Sequence, residues 1–249
     1  VGALELLLDG IGCAPAGCET SDMRDTGEKV DFGSLPDYAQ QFGEHLNAVV
    51  SDARPRIVTL KMAALLHDVG KPATRTVDED GRVRFLAHER VGSKAAGEIL
   101  QRLRFSSVEA RLAEIIVRNH MRPLTLASQG SVSSRAVYRF FRDTRDAGTD
   151  ILLLALADHL ATYAFETAGS GWQRLVALAT QMLGYHWAGE ARRADPPPLV
   201  SGRDLLRDFG LQPGPQIGRL LEAVREAQAI GEVRTRGEAT ELVRSLLEN

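Results

Sequence analysis

Among the six histidines of the chain, three stand where a helix is predicted to begin or end. His67 and Asp68 close the apolar run "LKMAALLHDVGK", His88 opens a helix directly after a predicted hairpin, and His120 ends another before Met121-Arg122-Pro123. Asp158 lies inside the apolar stretch 150–165, where an ionised carboxylate is costly unless it is paired or bound to a metal. His45 sits on the helix that precedes the His67-Asp68 pair. Imidazole and carboxylate are the ligands that divalent Fe, Mn, Co, Ni and Zn accept, and helix ends can aim several of them at one point. A lone histidine at a helix end is more often a cap than a ligand. The accumulation of such positions points to a metal centre.

The elements that must position these residues are almost all helices. Apolar residues at Tyr38, Phe42, Leu46 and Val49–Val50 give a helical period over 37–50. A second helix runs from about 55 to 69, where Gly70 is expected in a left-handed cap and Pro72 bars continuation. "TRTVDEDGRVRF" reads as a hairpin turning on Asp80-Gly81. Helices follow at about 89–103 and from 106 to near 120, the latter opened by the capping-box pair Ser106 and Glu109. Further helices are expected at about 133–143, 150–166 and 172–189. The triple proline 196–198 marks a boundary, and three short helices at 202–209, 216–230 and 236–248 complete the chain. The expected organisation is a lead-in over 1–36, a helical bundle over 37–190 and a helical tail over 199–249.

With 249 residues, 44% hydrophobic and 25% charged, the chain can bury one substantial core. A formal net charge of −3 argues against a strongly basic nucleic-acid platform, so any RNA contact would need a local basic patch. No apolar run reaches the ~18–20 residues that span a bilayer, and the acidic, base-poor start is a poor signal peptide. Cys13 and Cys18, without a second pair, read as two free thiols in a reducing cytoplasm.

The spacing of His45, His67-Asp68 and Asp158 resembles the signature of the HD phosphohydrolase superfamily, and "LLHDVGK" is its most specific element. That resemblance implies an all-α fold, a helical bundle with one small β-hairpin around a central metal site. His88 in "HERVGS" and His120 in "VRNHMRP" resemble the two-metal subgroup. Carried over, Asp68 would bridge the metals, His45, His67 and Asp158 would complete the first site, and His88 and His120 would serve the second. Lys71 would stand near the metals or the substrate phosphate. Arg118 and Arg122 would be phosphate partners, because a guanidinium matches phosphate geometry. The implied cofactor is one or two divalent ions, Fe, Mn, Ni, Co or Zn, with Mg also admitted.

Residues 60–123 together with "SGRDLLRDFGLQPGPQIGRLLEAVREAQAIGEVRTRGEA" resemble the body and C-terminal tail of bacterial CCA-adding enzymes and poly(A) polymerases. The Gly-Ser and paired-carboxylate motifs of that class's nucleotidyltransferase head have no counterpart here, so nucleotide addition is not expected of this chain alone. Arg135, Arg139 and Arg142 recur at helical spacing among Tyr138, Phe140 and Phe141. They would be an RNA-contacting stripe, although a solvated arginine face over an aromatic core face is the commoner outcome on one amphipathic helix. The leading expectation is therefore a cytoplasmic metal-dependent phosphohydrolase or phosphodiesterase acting on a nucleotide or RNA-end phosphate ester. Asp68 and Lys71 would be its catalytic residues, and no membrane or protein partner is implied. The alternative is the RNA-holding body of a tRNA nucleotidyltransferase.

Overall fold

The computed structural model describes residues 1–13, 30–51, 54–163, 169–192 and 198–248; Cys18 lies outside them. The chain divides into two compact units, 1–132 with 144–184, and 133–143 with 185–249. Among the described residues no helix is long and apolar enough to cross a membrane.

The first unit is built around α9 (Gly148–Thr162), whose residues are buried almost all round, from Gly148 to Ala157 and at Leu160. A helix apolar on every side has to sit at the centre of a bundle. Around it lie α1 (Gly2–Gly10), α3 (Arg56–Leu66), α6 (Ser107–Asn119) and α7 (Arg122–Ser128). The expected lead-in over 1–36 thus begins with a packed helix, because Leu4, Leu7 and Leu8 form an apolar stripe that is fully buried. The helical period over 37–50 becomes a 3-10 turn, Leu35–Tyr38, then α2 (Ala39–Asn47), and the chain straightens at Val49–Ser51 (β1) to pair with Arg54–Pro55 (β2). The bundle is thus all-α apart from this pair and the hairpin.

α5 (His88–Arg102) packs closely on α6, which opens with the anticipated capping box. Ser106 Oγ accepts from the Glu109 amide at 3.2 Å, and the Ser106 amide donates to Glu109 Oε2 at 2.8 Å. Arg54 adds a bidentate clasp, 2.8 Å to each Glu109 oxygen.

One charged cluster inside this bundle could not be foreseen from pattern. Asp150, on the first turn of α9, is fully buried and ionised. Arg56 Nε donates to its Oδ2 at 2.9 Å, and His45 Nε2 lies 3.1 Å from the same oxygen. Arg56 also donates to the Asp146 carboxylate and to its carbonyl, each at 3.0 Å. Burial alone would raise the Asp150 pKa, but His45 and Arg56 outweigh it and hold the carboxyl below its ordinary value of 3.8. A carboxylate with a depressed folded pKa contributes stability above its unfolded pKa of about 3.9 and loses it as pH falls below that value. Urea unfolding of the wild type between pH 6 and 2.5 is expected to lose stability more steeply below pH ~4 than unfolding of the Asp150→Asn variant, which lacks that titration.

The second unit holds α8 (Ser134–Thr144) up to Asp143, the end of α10 (Ser170–Arg192) from Tyr185 on, α11 (Gly202–Phe209), α12 (Pro215–Ala229) and α13 (Arg236–Glu248). Its core joins Val200, Leu205, Leu220, Val224, Ala227, Val233, Ala239 and Val243. Ser201 and Asp204 form a capping box for α11, which Gly210 ends in the left-handed conformation at φ 64°. Residues 133–143 belong to this unit rather than to the bundle expected over 37–190.

Candidate metal centre

α3 delivers His67-Asp68 at its C-terminal end and stops there, and the reason differs from the expected one. Gly70 has φ −80°, not a left-handed value, and Pro72 sits in the first turn of a one-turn helix, α4 (Lys71–Thr74). The requirement for glycine is proximity. A Cβ at Gly70 would fall on the His88 carbonyl and within 2.6 Å of the Gly92 amide, so α5 approaches by backbone alone and brings His88 against Asp68. Gly70→Ala is expected to cost about 1–3 kcal/mol through overpacking, read as a lowered Tm. It should also weaken metal uptake more than a surface glycine change such as Gly81→Ala.

The histidines share one local device. His67 Nδ1 donates to the Ala64 carbonyl at 2.8 Å, His88 Nδ1 to Phe85 at 2.8 Å and His120 Nδ1 to Val117 at 2.6 Å. In each case the carbonyl three residues back fixes the ring and leaves Nε2 facing inward, which is how the outer hydrogen bond of a metal-ligating histidine is commonly made. His67 Nε2 lies 3.3 Å from Asp68 Oδ2 and 3.3 Å from Asp158 Oδ1. His88 Nε2 lies 3.5 Å from Asp68 Oδ1 and 3.3 Å from His120 Nε2. The two Asp68 oxygens therefore face two different groups, His67 with Asp158 on one side and His88 with His120 on the other.

Several features fit a bound cation. The candidate ligand atoms of His67, Asp68 and His120 all lie within 4.8 Å of one another. His67 Nε2 is buried without a hydrogen bond of acceptable geometry. His88 and His120 point Nε2 at Nε2, and with both Nδ1 atoms donating to carbonyls those lone pairs oppose each other unless a positive charge stands between them. A separation near 3.3 Å is what two nitrogens ~2.1 Å from one tetrahedral ion would show.

The carboxylates draw positive charge into the cluster, and a cation bound at His67 Nε2 would displace the proton held there. Burial works against the His67 imidazolium, yet Asp158, Asp68 and the Ala64 carbonyl outweigh it and its pKa is pushed up to about 10. Burial also opposes the Asp68 carboxylate, but His67 and Lys71 hold it well below the usual range. His120 is pushed down by burial and by His67 and His88, and so stays neutral, the form a metal accepts. The carboxylate pair attracts positive charge to the point between His67 and Asp158. Lys71 supplies more of it, with Nζ 2.6 Å from Asp68 Oδ2.

The structure thus brings together His67, Asp68, His88, His120, Asp158 and Lys71. His45, expected with the first metal, stands apart from this cluster: its Nε2 lies 3.1 Å from Asp150, which as a fully buried carboxylate needs the partner. Arg122 Nη1 lies 3.4 Å from Asn119 Oδ1, while Asn119 donates back to the Ile115 carbonyl at 2.8 Å. Arg118 is exposed on the last turn of α6. Arg135, Arg139 and Arg142 are engaged by acids: Arg135 with Glu232 at 2.6 Å, Arg139 in a bidentate pair with Glu226 at 2.9 Å, and Arg142 with Glu222 at 3.0 Å. The single-sequence signal missed Asp150 and Arg56, which sit in ordinary helical positions and are distinguished only by burial.

The HD domain family model matches residues 37–163, and the chain belongs to that family. It is 37% identical over 185 residues, 74% of its length, to the A-adding tRNA nucleotidyltransferase of Deinococcus radiodurans. It is 39% identical over 183 residues, 72% of its length, to the CC-adding tRNA nucleotidyltransferase of Thermus thermophilus. The chain spans 41% and 38% of the length of these relatives, respectively.

Proposed function

We propose that the chain is a metal-dependent phosphohydrolase or phosphodiesterase acting on a phosphate ester of a nucleotide or an RNA end. The observation that carries this reading is the convergence of three inward-facing imidazole nitrogens and two carboxylates about Asp68. His67, Asp68 and Asp158 would hold one ion, and Asp68, His88 and His120 a second, drawn from Fe, Mn, Ni, Co, Zn or Mg. Such ions supply a hydroxide at neutral pH and neutralise phosphoryl oxygens. The chain's own contribution is orientation. The Ala64, Phe85 and Val117 carbonyls fix the three rings, and the Asp68 carboxylate faces both sides at once. The Lys71 ammonium, held on Asp68, can turn a proton toward an incoming phosphate oxygen. Arg118 and Arg122 are the proposed outer phosphate partners. A cytoplasmic setting belongs to the same proposal.

Hydrolysis of bis(p-nitrophenyl) phosphate by the chain supplied with each ion in turn tests it directly. Lys71→Ala is expected to lower kcat/KM by about 10²–10³-fold, the scale of one lost charge-stabilising donor, with bound metal unchanged. Equal rates in the two proteins would remove Lys71 from the site.

A second reading is an RNA-holding body, favoured by the names of the relatives, which add nucleotides to tRNA. Under it Arg135, Arg139 and Arg142 would exchange their glutamate partners for phosphates. tRNA affinity that falls with salt and weakens on Arg139→Ala would support this role. Salt-independent or undetectable binding would end it.

A further inference from the structure

The hairpin after α4 is more exposed and more apolar than its size warrants. Val77 and Val83 are 53% and 45% exposed, and Leu86, just past the second strand, is 71% exposed. β3 (Arg75–Val77) pairs with β4 (Val83–Phe85) so that Arg75 faces Phe85 and Val77 faces Val83. Alternation along the strands puts these four side chains on one face and Thr76 with Arg84 on the other. A free two-stranded ribbon is marginal in water, yet this one is braced. Asp78 accepts from the Arg82 amide at 2.8 Å and from Arg84 Nε at 2.8 Å, and Gly81 turns the chain at φ 77°.

The apolar face is continuous with the metal centre. Lys71 Nζ, bonded to Asp68, lies 5.8 Å from the centre of the Phe85 ring. Val77 and Val83 follow two residues further along the ribbon, roughly 7 Å on. Between exposed Leu86 and inward-facing His88, Ala87 takes a left-handed conformation at φ 61°. That conformation costs a non-glycine residue of order 1 kcal/mol or more, and such strain gathers at functional sites. It lets residues two apart serve opposite ends, His88 inward to Asp68 and Leu86 outward to solvent.

We propose that this ribbon and Leu86 hold the non-reacting end of the substrate, a planar apolar group such as a nucleobase one sugar away from the phosphate. The occupant follows from position and charge: the strip begins at Lys71 beside the metal centre and carries exposed Arg75 on the same face. It therefore suits a ligand that joins an anionic phosphate to an apolar ring. This rests on the phosphoester reading above and names the part of the molecule that would select the substrate.

The test compares binding of adenosine 5′-monophosphate and ribose 5-phosphate, which carry adenine and a hydroxyl respectively at the anomeric carbon, to the intact chain supplied with manganese, by titration calorimetry. The expected result is an affinity at least tenfold higher for the nucleotide. Val83→Asp should bring the two within about twofold while leaving ribose 5-phosphate unchanged. Leu86→Ser, outside both strands, is the second variant and should cut the preference severalfold without altering Tm. Equal affinities in the wild type, no detectable binding of either ligand, or a variant that weakens both ligands alike would overturn the proposal. Failure of the hydrolase reading would look different: no turnover of any ester, with base discrimination intact.

Discussion

Replacing Asp68 with alanine is expected to lower kcat/KM for bis(p-nitrophenyl) phosphate by at least about a thousandfold, ~4 kcal/mol of transition-state stabilisation. Its two oxygens face the two halves of the centre, 3.3 Å from His67 Nε2 and 3.5 Å from His88 Nε2. Among the described residues it is the carboxylate that stands within 3.5 Å of both rings. The change also strands Lys71, whose ammonium is bonded to Asp68 at 2.6 Å, and leaves His67 with Asp158 as its remaining carboxylate. Metal content should fall along with the rate, which separates loss of the centre from loss of a proton donor. Stability should change little by comparison, because Asp68 is over a third exposed and exposed charge pairs contribute only ~0–1 kcal/mol.

Arg56→Ala should do the reverse, damaging the fold far more than the centre. It removes the cation from a carboxylate that is wholly inaccessible to solvent, and stripping one partner from a buried pair costs about 3–5 kcal/mol. For a domain of this size that is a fall in Tm of roughly 6–20 °C. Among the described residues the partner that remains is His45, 3.1 Å from Asp150 Oδ2, and it carries charge only when protonated. Replacing both residues with apolar ones of similar volume, Arg56→Met with Asp150→Leu, should recover most of the loss, because the desolvation cost disappears with the charge. A double variant as unstable as the single one would mean that packing around Arg56, not the ion pair, holds α9 to α3.

These two outcomes also mark what could be read in the sequence. The His67-Asp68 pair, His88, His120 and Asp158 were legible because their types are costly or uncommon at helix ends and in apolar runs, and because the hairpin and capping box between them announce themselves. Fixed local chemistry made Ser106 with Glu109 and Asp80-Gly81 readable. Spacing placed His45 on the helix before the pair, but could not say that a buried Asp150 would meet its Nε2. Arg56 and Asp150 gave no signal at all, because burial is a property of the assembled bundle. Gly70 was identified as special for a conformational reason, when the cause is the approach of α5, a contact 18 to 22 residues away in the chain. The arginines at 135, 139 and 142 kept helical spacing as expected, and the glutamates they meet, on and just after α12, lie too far along the sequence for a local reading.

The most direct test of the metal centre is elemental analysis of the chain purified without chelators, wild type beside Asp68→Ala. Near two equivalents of a first-row divalent ion in the wild type, falling to one or fewer in the variant, is the predicted result. A wild type that binds no Fe, Mn, Co, Ni or Zn even when each is supplied in excess would contradict it. His67, Lys71 and the two carboxylates would then be a self-neutralised charge cluster rather than a site.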